Sequence, residues 1–175
     1  MYNPAQIEKM LESMVVLYDT REQDTEALRR RLSFLGFPSE RFKLDYGDYS
    51  LKYTDISGDE IYLTNICIER KMNLDELALC FGKERKRFKR EFDRAKENNA
   101  KIHLIIENAA YEKIYSGKYR SQLKPQSMIA SLLSWSARYN MRFHFCKAEL
   151  TGWLIGQILQ YELRNYLLLK GADNE

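Results

Sequence analysis

Three charged side chains directly follow an apolar stretch at residues 65–71, which read NICIERK. Side chains alternate between the two faces of a strand, so Glu69 and Lys71 should share one face and Ile66 and Ile68 the other. A buried carboxylate or ammonium is costly unless it is paired or holds a metal. Glu69 and Lys71 are therefore candidates for a chemical role.

Further carboxylates fall at the ends of neighbouring strand patterns. Asp48 begins the preceding strand, and a hairpin that brings it near Glu69 would gather two carboxylates and the Lys71 ammonium. Asp19 ends the first strand and Glu22 follows three residues later, within reach of the same strand ends. Carboxylates suit Mg²⁺, and a lysine can position or help deprotonate the attacking water. The pattern predicts a metal-dependent hydrolase.

Each of these positions also has an ordinary structural explanation. The stretch DYGD at residues 45–48 can form a turn, and Asp75 can favour the first turn of a helix. Glu69 and Lys71 can form a solvated pair. However, independent turn or surface residues have no reason to fall at the ends of successive strands, so their joint placement favours a site.

Hydrophobic periodicity predicts the elements that would position these residues. Helices are expected near 4–13, 24–35, 83–98, 125–139 and 148–170, with a further helix opening after Asn73, and strands at 14–19, within 41–54, and at 60–69, 101–107 and 141–146. Alternating strands and helices predict an α/β fold in which helices cover a mixed sheet. No linker or repeat interrupts the pattern, so residues 1–175 are expected to form a single domain.

Composition narrows the class of protein. The 175 residues are 45% hydrophobic and 30% charged with a net charge of +3, which indicates a globular protein with a mild preference for polyanions. Cys67, Cys80 and Cys146 show no zinc or disulfide spacing. The sequence shows neither a signal peptide nor a membrane span, so we expect an intracellular, cytoplasmic protein without a membrane partner.

The segment from residue 81 to 97 predicts a surface for DNA. On a helical wheel, Phe81, Phe88, Phe92 and Ala95 fall opposite one positively charged stripe. The stripe consists of Lys83, Lys86, Arg87, Arg90 and Arg94, and a nearby loop adds Lys118, Arg120 and Lys124. A solvated basic face is the ordinary alternative, but we favour contact with phosphates.

Two other features are noted. His103 and His144 lie on predicted strands without a partner at metal-ligand spacing, so they receive no role. The last helix is apolar nearly all round, with Trp153, Leu154, Ile158, Tyr161 and residues 166–169. Core burial explains part of this pattern, and a homodimer interface explains the excess.

Three segments together resemble one nuclease family. They are VVLYDTRE at 15–22, LDYGDYSL at 44–51 and IERKMNLD at 68–75. They are similar to the nuclease domain of the XPF-type structure-specific endonucleases, whose motif is GD, a variable gap, ERK, three residues and D. The resemblance covers residues 14 to about 165. It implies membership of the PD-(D/E)XK superfamily and a three-layer α/β/α fold like that of restriction endonucleases.

The resemblance also implies roles for individual residues. Asp19, Glu22, Asp48 and Glu69 match the metal-binding acids, Lys71 the catalytic lysine, Arg21 and Arg70 active-site arginines, and Asp75 the closing aspartate. Parity directs Arg70 away from Glu69, which suggests a supporting role. Family members pair through their nuclease domains, in agreement with the expected homodimer.

The expected function is a Mg²⁺- or Mn²⁺-dependent DNA endonuclease acting on branched, flap or fork DNA. The eukaryotic and archaeal enzymes carry helix-hairpin-helix modules, which are not expected here. Stand-alone domains of this kind resemble those of phages and prophages, which implies DNA repair, recombination or replication in a bacterium or an infected host. The alternatives are a DNA-binding pseudo-nuclease and an enzyme like a Holliday-junction resolvase.

Overall fold

The computed structural model describes residues 2–172, which form seven α-helices and seven strands. The helices are α1 (Pro4–Glu12), α2 (Glu26–Ser33), α3 (Leu74–Phe81), α4 (Arg85–Glu97), α5 (Tyr111–Tyr115), α6 (Pro125–Arg138) and α7 (Thr151–Ala172). The strands are β1 (Val15–Asp19), β2 (Ser39–Phe42), β3 (Tyr49–Thr54), β4 (Glu60–Tyr62), β5 (Ile66–Lys71), β6 (Lys101–Glu107) and β7 (Met141–Cys146). Parallel and antiparallel pairs both occur, which confirms the predicted α/β class with a mixed sheet.

The residues divide into two compact units. The first contains 1–44, 49–66 and 152–175, and the second contains 45–48 and 67–151. In the first unit β1 pairs with β2 in parallel and with β3 antiparallel, and β3 also pairs with β4. In the second unit β6 lies between β5 and β7, and β6 and β7 are parallel. The single domain inferred from the sequence stays a prediction.

Two predicted extended segments are each interrupted. Residues 41–54 do not form one strand, because β2 ends at Phe42 and a bend separates it from Tyr49. Gly47 lies in this bend with φ +71°, a conformation that favours glycine. Residues 60–69 likewise divide into β4 and β5. The breaks matter because Asp48 projects from the bend rather than from a continuous strand.

The first unit buries both faces of β3. Leu51 is fully buried on one face, and Lys52 on the other is only 7% exposed. Lys52 tolerates this position because its Nζ lies 2.7 Å from Glu40 and 2.8 Å from Glu60. Paired carboxylates offset the cost of removing an ammonium from water.

Helix α7 packs closely within the first unit. Its buried residues recur every fourth position, at Ile155, Leu159, Leu163 and Leu167. Glycines on this helix allow a backbone-to-backbone approach, since a Cβ at Gly156 would lie 2.0 Å from the carbonyl oxygen of Leu35. A Cβ at Gly152 would meet the carbonyl oxygen of Arg31 at 2.2 Å. The helix therefore sits directly against the C-terminal end of α2.

The second unit has an aromatic core beneath α4. Phe88 stacks on Trp135 with ring centroids 5.2 Å apart, and Phe92 lies 5.0 Å from the same ring. Phe88, Phe92 and Ala95 are 1–2% exposed, which confirms the predicted packing face of this helix. Phe81, which was predicted on the same face, is also buried but ends α3, because residues 82–84 separate the two helices. The three cysteines are free, as their spacing indicated. Within residues 2–172, no helix has both the length and the apolar character needed to cross a membrane.

Candidate active site

A close backbone approach places Asp48 beside Glu69. The Asp48 N–H donates to the carbonyl oxygen of Ile68 at 2.7 Å, and the Arg70 N–H donates to Asp48 Oδ2 at 2.8 Å. These two bonds flank Glu69 along β5. A Cβ at Gly47 would lie 3.0 Å from the Cβ of Cys67, so the glycine permits the approach. The proximity of Asp48 and Glu69 inferred from the sequence is therefore present.

The Lys71 ammonium lies in a buried acidic environment. Its Nζ donates to Glu69 Oε1 at 2.6 Å and lies 3.6 Å from Glu76 Oε1, and Lys71 and Glu69 are each 7% exposed. The Phe88 ring lies 4.9 Å from Nζ. Burial by itself lowers the pKa of Lys71, but the charges of Glu69 and Asp48 outweigh burial and raise it above its usual value. Lys71 is therefore a cation at neutral pH.

Arg70 occupies the opposite face of β5. Its Nη1 lies 3.2 Å from Glu107 Oε2, and Glu107 is 5% exposed at the end of β6. The parity argument that separated Arg70 from Glu69 is thus confirmed. The ion pair joins the ends of β5 and β6, which keeps the segment that carries Glu69 in place.

Asp75 is joined to the loop of residues 116–124. Its carboxylate accepts from the Arg120 backbone N–H at 2.6 Å and from Arg120 Nε at 3.0 Å. These two hydrogen bonds lower the pKa of Asp75. Asp75 therefore anchors the loop to the first turn of α3, a contact between residues that were assigned separately to catalysis and to DNA binding.

Asp19 lies in the first unit and accepts hydrogen bonds on both carboxylate oxygens. Its Oδ1 accepts from the backbone N–H of Arg21 at 2.8 Å and from the guanidinium of Arg21, and its Oδ2 accepts from the Leu44 N–H at 2.7 Å. Burial raises the pKa of Asp19, but these hydrogen bonds outweigh burial and lower it. Its metal-binding role stays a prediction.

Glu22 belongs to a polar network in the same unit. Arg31 Nη1 lies 3.3 Å from Glu22 Oε2 and donates to the hydroxyl of Tyr49 at 2.7 Å. The Tyr49 hydroxyl in turn donates to Glu22 at 3.4 Å. Arg31 and Tyr49 therefore hold the carboxylate of Glu22, to which the family resemblance assigned a metal-binding role.

Comparison with known proteins identifies the family. The model of the ERCC4 domain matches residues 18–155, which is most of the chain. The chain belongs to the ERCC4 domain family. A comparison of this chain with curated proteins found no match.

Two solved structures share the fold of this ERCC4 domain. XPF from Aeropyrum pernix has a TM-score of 0.60 and 20% sequence identity, over 85% of this chain and 61% of that chain. XPF from Aeropyrum pernix in complex with DNA has a TM-score of 0.57 and 19% identity, over 89% of this chain and 66% of that chain. The ERCC4 domain thus spans less than two thirds of either structure.

The donor set of the ERCC4 domain fits a hard divalent cation. Asp48 and Glu69 supply two carboxylates, and Mg²⁺ is commonly held by one or two carboxylates with water and phosphate oxygens as its other ligands. Over residues 2–172, no three His, Cys, Asp or Glu side chains are grouped so that they could hold a metal. The larger cluster with Asp19 and Glu22 stays a prediction.

The predicted DNA-binding cations of the ERCC4 domain lie on its surface. Lys83 precedes α4, and the other four cations of the stripe lie on it. All five are exposed, as are Lys118, Arg120 and Lys124. Arg87 already lies 2.6 Å from Glu84, and Arg94 donates to the carbonyl oxygen of Asp45 at 3.2 Å. The remaining stripe, Lys83, Lys86 and Arg90, is the stronger candidate for phosphate contact.

Three side-chain contacts in the ERCC4 domain were not predicted from the sequence, namely those of Glu76 with Lys71, of Glu107 with Arg70 and between His103 and His144. Glu76 and Glu107 were given no role at the site. His103 Nδ1 lies 3.0 Å from His144 Nε2, although each histidine was interpreted as isolated. The shared parity of the histidines on β6 and β7 is a signal for this contact, but only once the two strands are known to be neighbours.

Proposed function

We propose that this ERCC4 domain is a DNA endonuclease that hydrolyses phosphodiester bonds with a bound Mg²⁺ or Mn²⁺ ion. The observation that carries the proposal is the buried Lys71 ammonium, held 2.6 Å from Glu69, on a strand to which Asp48 is also bonded. Family membership supports the same conclusion. The activity, substrate and partners of the whole XPF protein are not transferred by the shared fold.

The proposed chemistry divides between the acids and the lysine. Asp48 and Glu69 would hold the ion, which supplies Lewis-acid activation of water and phosphate when it is bound. Lys71 orients the attacking water and offsets negative charge on the phosphate. Arg70 and Glu107 keep the end of β5 rigid. In-line attack would leave a 5′-phosphate and a 3′-hydroxyl.

We propose branched, flap or fork DNA as the substrate. The motif resemblance to the XPF-type enzymes supports this class, and the exposed cations of α4 and of the 116–124 loop supply contacts for its phosphates. A pseudo-nuclease is disfavoured because Asp48, Glu69 and Lys71 are all present. A four-way-junction preference would instead favour the resolvase-like alternative.

A homodimer through α7 is also proposed. The helix buries one apolar face in the first unit, yet it exposes a second set of apolar residues. These are Trp153 (53% exposed), Tyr161 (61%), Leu168 (51%) and Leu169 (68%). A surface of this kind favours a partner, and a second copy would cover it symmetrically.

The test is cleavage of a panel of flap, fork, four-way junction and intact duplex DNA with Mg²⁺ and with Mn²⁺. We expect Glu69→Gln, Asp48→Asn and Lys71→Ala each to reduce cleavage by orders of magnitude, about 10²-fold or more for loss of one charged group acting in the transition state. Calorimetry should show lost metal binding in Glu69→Gln and retained binding in Lys71→Ala, because the lysine does not contact the ion.

The matched control is Glu112→Gln, which changes an exposed carboxylate on α5 of the same unit. It should cleave like the wild type. Full activity in Glu69→Gln or Asp48→Asn would refute the site, and wild-type protein that cleaves none of the panel with either metal would refute the endonuclease.

A further inference from the structure

An open groove in the second unit lies between α3 and the 116–124 loop. Its volume is about 840 Å³, and its apolar lining includes Ala78, Leu79 and Leu123. Lys83 and Arg120 supply positive charge to the same groove. Two separately predicted DNA-contact regions, the stripe that begins at Lys83 and the basic loop, therefore meet here around an apolar floor.

The apolar floor is unexplained by contact with a phosphate backbone alone. Leu79 is 42% exposed although it lies on a helix whose other apolar side chains are mostly buried. Phosphate contacts require cations, whereas an exposed leucine between cations gains free energy only when an apolar surface covers it. A ligand that fills the groove should combine negative charge with an apolar surface.

The position and exposure of Arg120 suit it to bind the negatively charged part of such a ligand. Asp75 accepts from both its backbone N–H and its Nε, yet the Arg120 side chain is 93% exposed. The two bonds fix the position of the guanidinium while its Nη edge remains accessible to solvent. A fixed guanidinium binds phosphate with little further loss of conformational freedom.

The groove is also near the candidate active site along the chain. Asp75 lines the groove and follows Lys71 by four residues. Four residues span at most about 14 Å, which is the length of about four stacked nucleotides at roughly 3.4 Å each. A strand that passes the Lys71 site can therefore reach the groove.

We propose that this groove binds an unpaired nucleotide of the DNA substrate. Its phosphate contacts Arg120 and Lys83, and its base lies on Leu79 and Leu123. In an intact duplex the bases are stacked inside, so only an unpaired base can present its apolar face to the floor. The proposal rests on the proposed function for the identity of the ligand as DNA, and it adds where the unpaired part binds.

The test measures binding in EDTA, so that cleavage does not interfere. Fluorescence anisotropy compares an intact duplex with the same duplex carrying a three-nucleotide single-stranded gap. We expect the wild type to bind the gapped DNA about tenfold more tightly, in the range of a single base contact. Leu79→Ser should remove this preference and leave the affinity for intact duplex unchanged.

The matched control is Leu133→Ser, because Leu133 is 53% exposed on α6 of the same unit and does not line the groove. It should keep the preference. A second measurement uses wild-type protein alone: 2-aminopurine in the gap should change its fluorescence on binding, whereas 2-aminopurine in the paired region should not. Arg120→Ala should weaken binding of the gapped DNA.

Equal affinity of the wild type for both DNAs would overturn the proposal, as would a preference that survives Leu79→Ser. Cleavage of the flap, fork, four-way junction and duplex panel with Mg²⁺ and with Mn²⁺ separates the two proposals. Protein that prefers the gap but cleaves none of the panel refutes the endonuclease and supports the groove. Protein that cleaves the panel but binds both DNAs equally refutes the groove and supports the endonuclease.

Discussion

The two carboxylate oxygens of Glu76 contact different groups. Its Oε2 accepts from the Met72 N–H at 2.8 Å, ahead of the first turn of α3, and its Oε1 faces Lys71 Nζ at 3.6 Å. If a metal ion draws Glu69 away from Lys71, Glu76 remains to hold the ammonium in place. The backbone contact and the charge contact can be separated by substitution.

We predict that Glu76→Gln keeps the stability of the wild type and lowers its cleavage rate. The amide oxygen of glutamine still accepts from the Met72 N–H, so the free energy of unfolding should be unchanged, whereas Glu76→Ala should lower it by about 1 kcal/mol. Both variants should reduce the single-turnover cleavage rate by about tenfold, equivalent to about 1.4 kcal/mol. Urea unfolding and single-turnover kinetics measure the two effects. A wild-type cleavage rate in Glu76→Gln would show that the charge of Glu76 does not support Lys71 and that Glu76 serves only the hydrogen bond to the Met72 N–H.

At the scale of elements, a histidine pair joins β6 and β7. Burial, with the charges of His103 and Arg142, lowers the pKa of His144 to about 4. An unfolded histidine has a pKa of about 6.5, so the unfolded state takes up a proton more readily. The contribution of His144 to stability is therefore complete above pH 6.5 and is lost as the pH falls from 6.5 towards 4.

We predict that the wild type loses about 1 kcal/mol of unfolding free energy through His144 between pH 7.5 and 5.5, after allowance for its partial exposure. His144→Gln removes the titrating group, so its unfolding free energy should fall less over the same interval. Urea unfolding at several pH values measures the difference between the two slopes. Parallel curves for the two proteins would contradict the assignment to His144.

Helix α4 permits a test of DNA contact that is independent of catalysis. Each phosphate contact changes the slope of log affinity against log salt by about 0.9. Arg87 is already 2.6 Å from Glu84, so the Lys86, Arg87 and Arg90 to Ala triple variant should lower the slope by about 2 rather than 3. Cleavage at saturating DNA should survive, because the acids and Lys71 lie on other elements.

The matched control for this helix is Lys89→Ala. Lys89 is exposed but lies 2.6 Å from Asp93, so its removal should change the salt slope little. Salt titration of duplex binding by anisotropy measures all of these slopes. An unchanged slope in the triple variant would make the stripe an ordinary solvated surface.

At the scale of the whole molecule, we predict a dimer through α7. Light scattering should give twice the chain mass of 20.8 kDa, and Trp153→Glu should yield monomers because a charge would face the apolar partner surface. Tyr115→Glu is the control, since Tyr115 is 79% exposed on α5 in the other unit. A wild-type monomer at high concentration would exclude this interface.

The periodicity of the sequence predicted which face of a strand or helix each side chain occupies. It did not predict contacts between elements that are distant along the chain, because tertiary packing determines these. Alternation along β5 separated Glu69 and Lys71 from Arg70, and the apolar stripe of α4 identified its buried face. The bond between Asp75 and Arg120 joins residues 45 apart, and no local pattern encodes such a contact. Likewise, Glu107 reads as the polar end of an apolar strand until β5 and β6 are known to be neighbours.

The order of the two units along the chain has a consequence for synthesis. Residues 67–151 supply nearly all of the second unit, whereas the first unit needs residues from both before and after that stretch. Helix α2 receives the backbone of α7 only when Gly152 and Gly156 arrive. Since a chain leaves the ribosome from its N-terminus, we expect the second unit to complete first. Until α7 emerges, the surface of α2 that α7 later covers is accessible to chaperones.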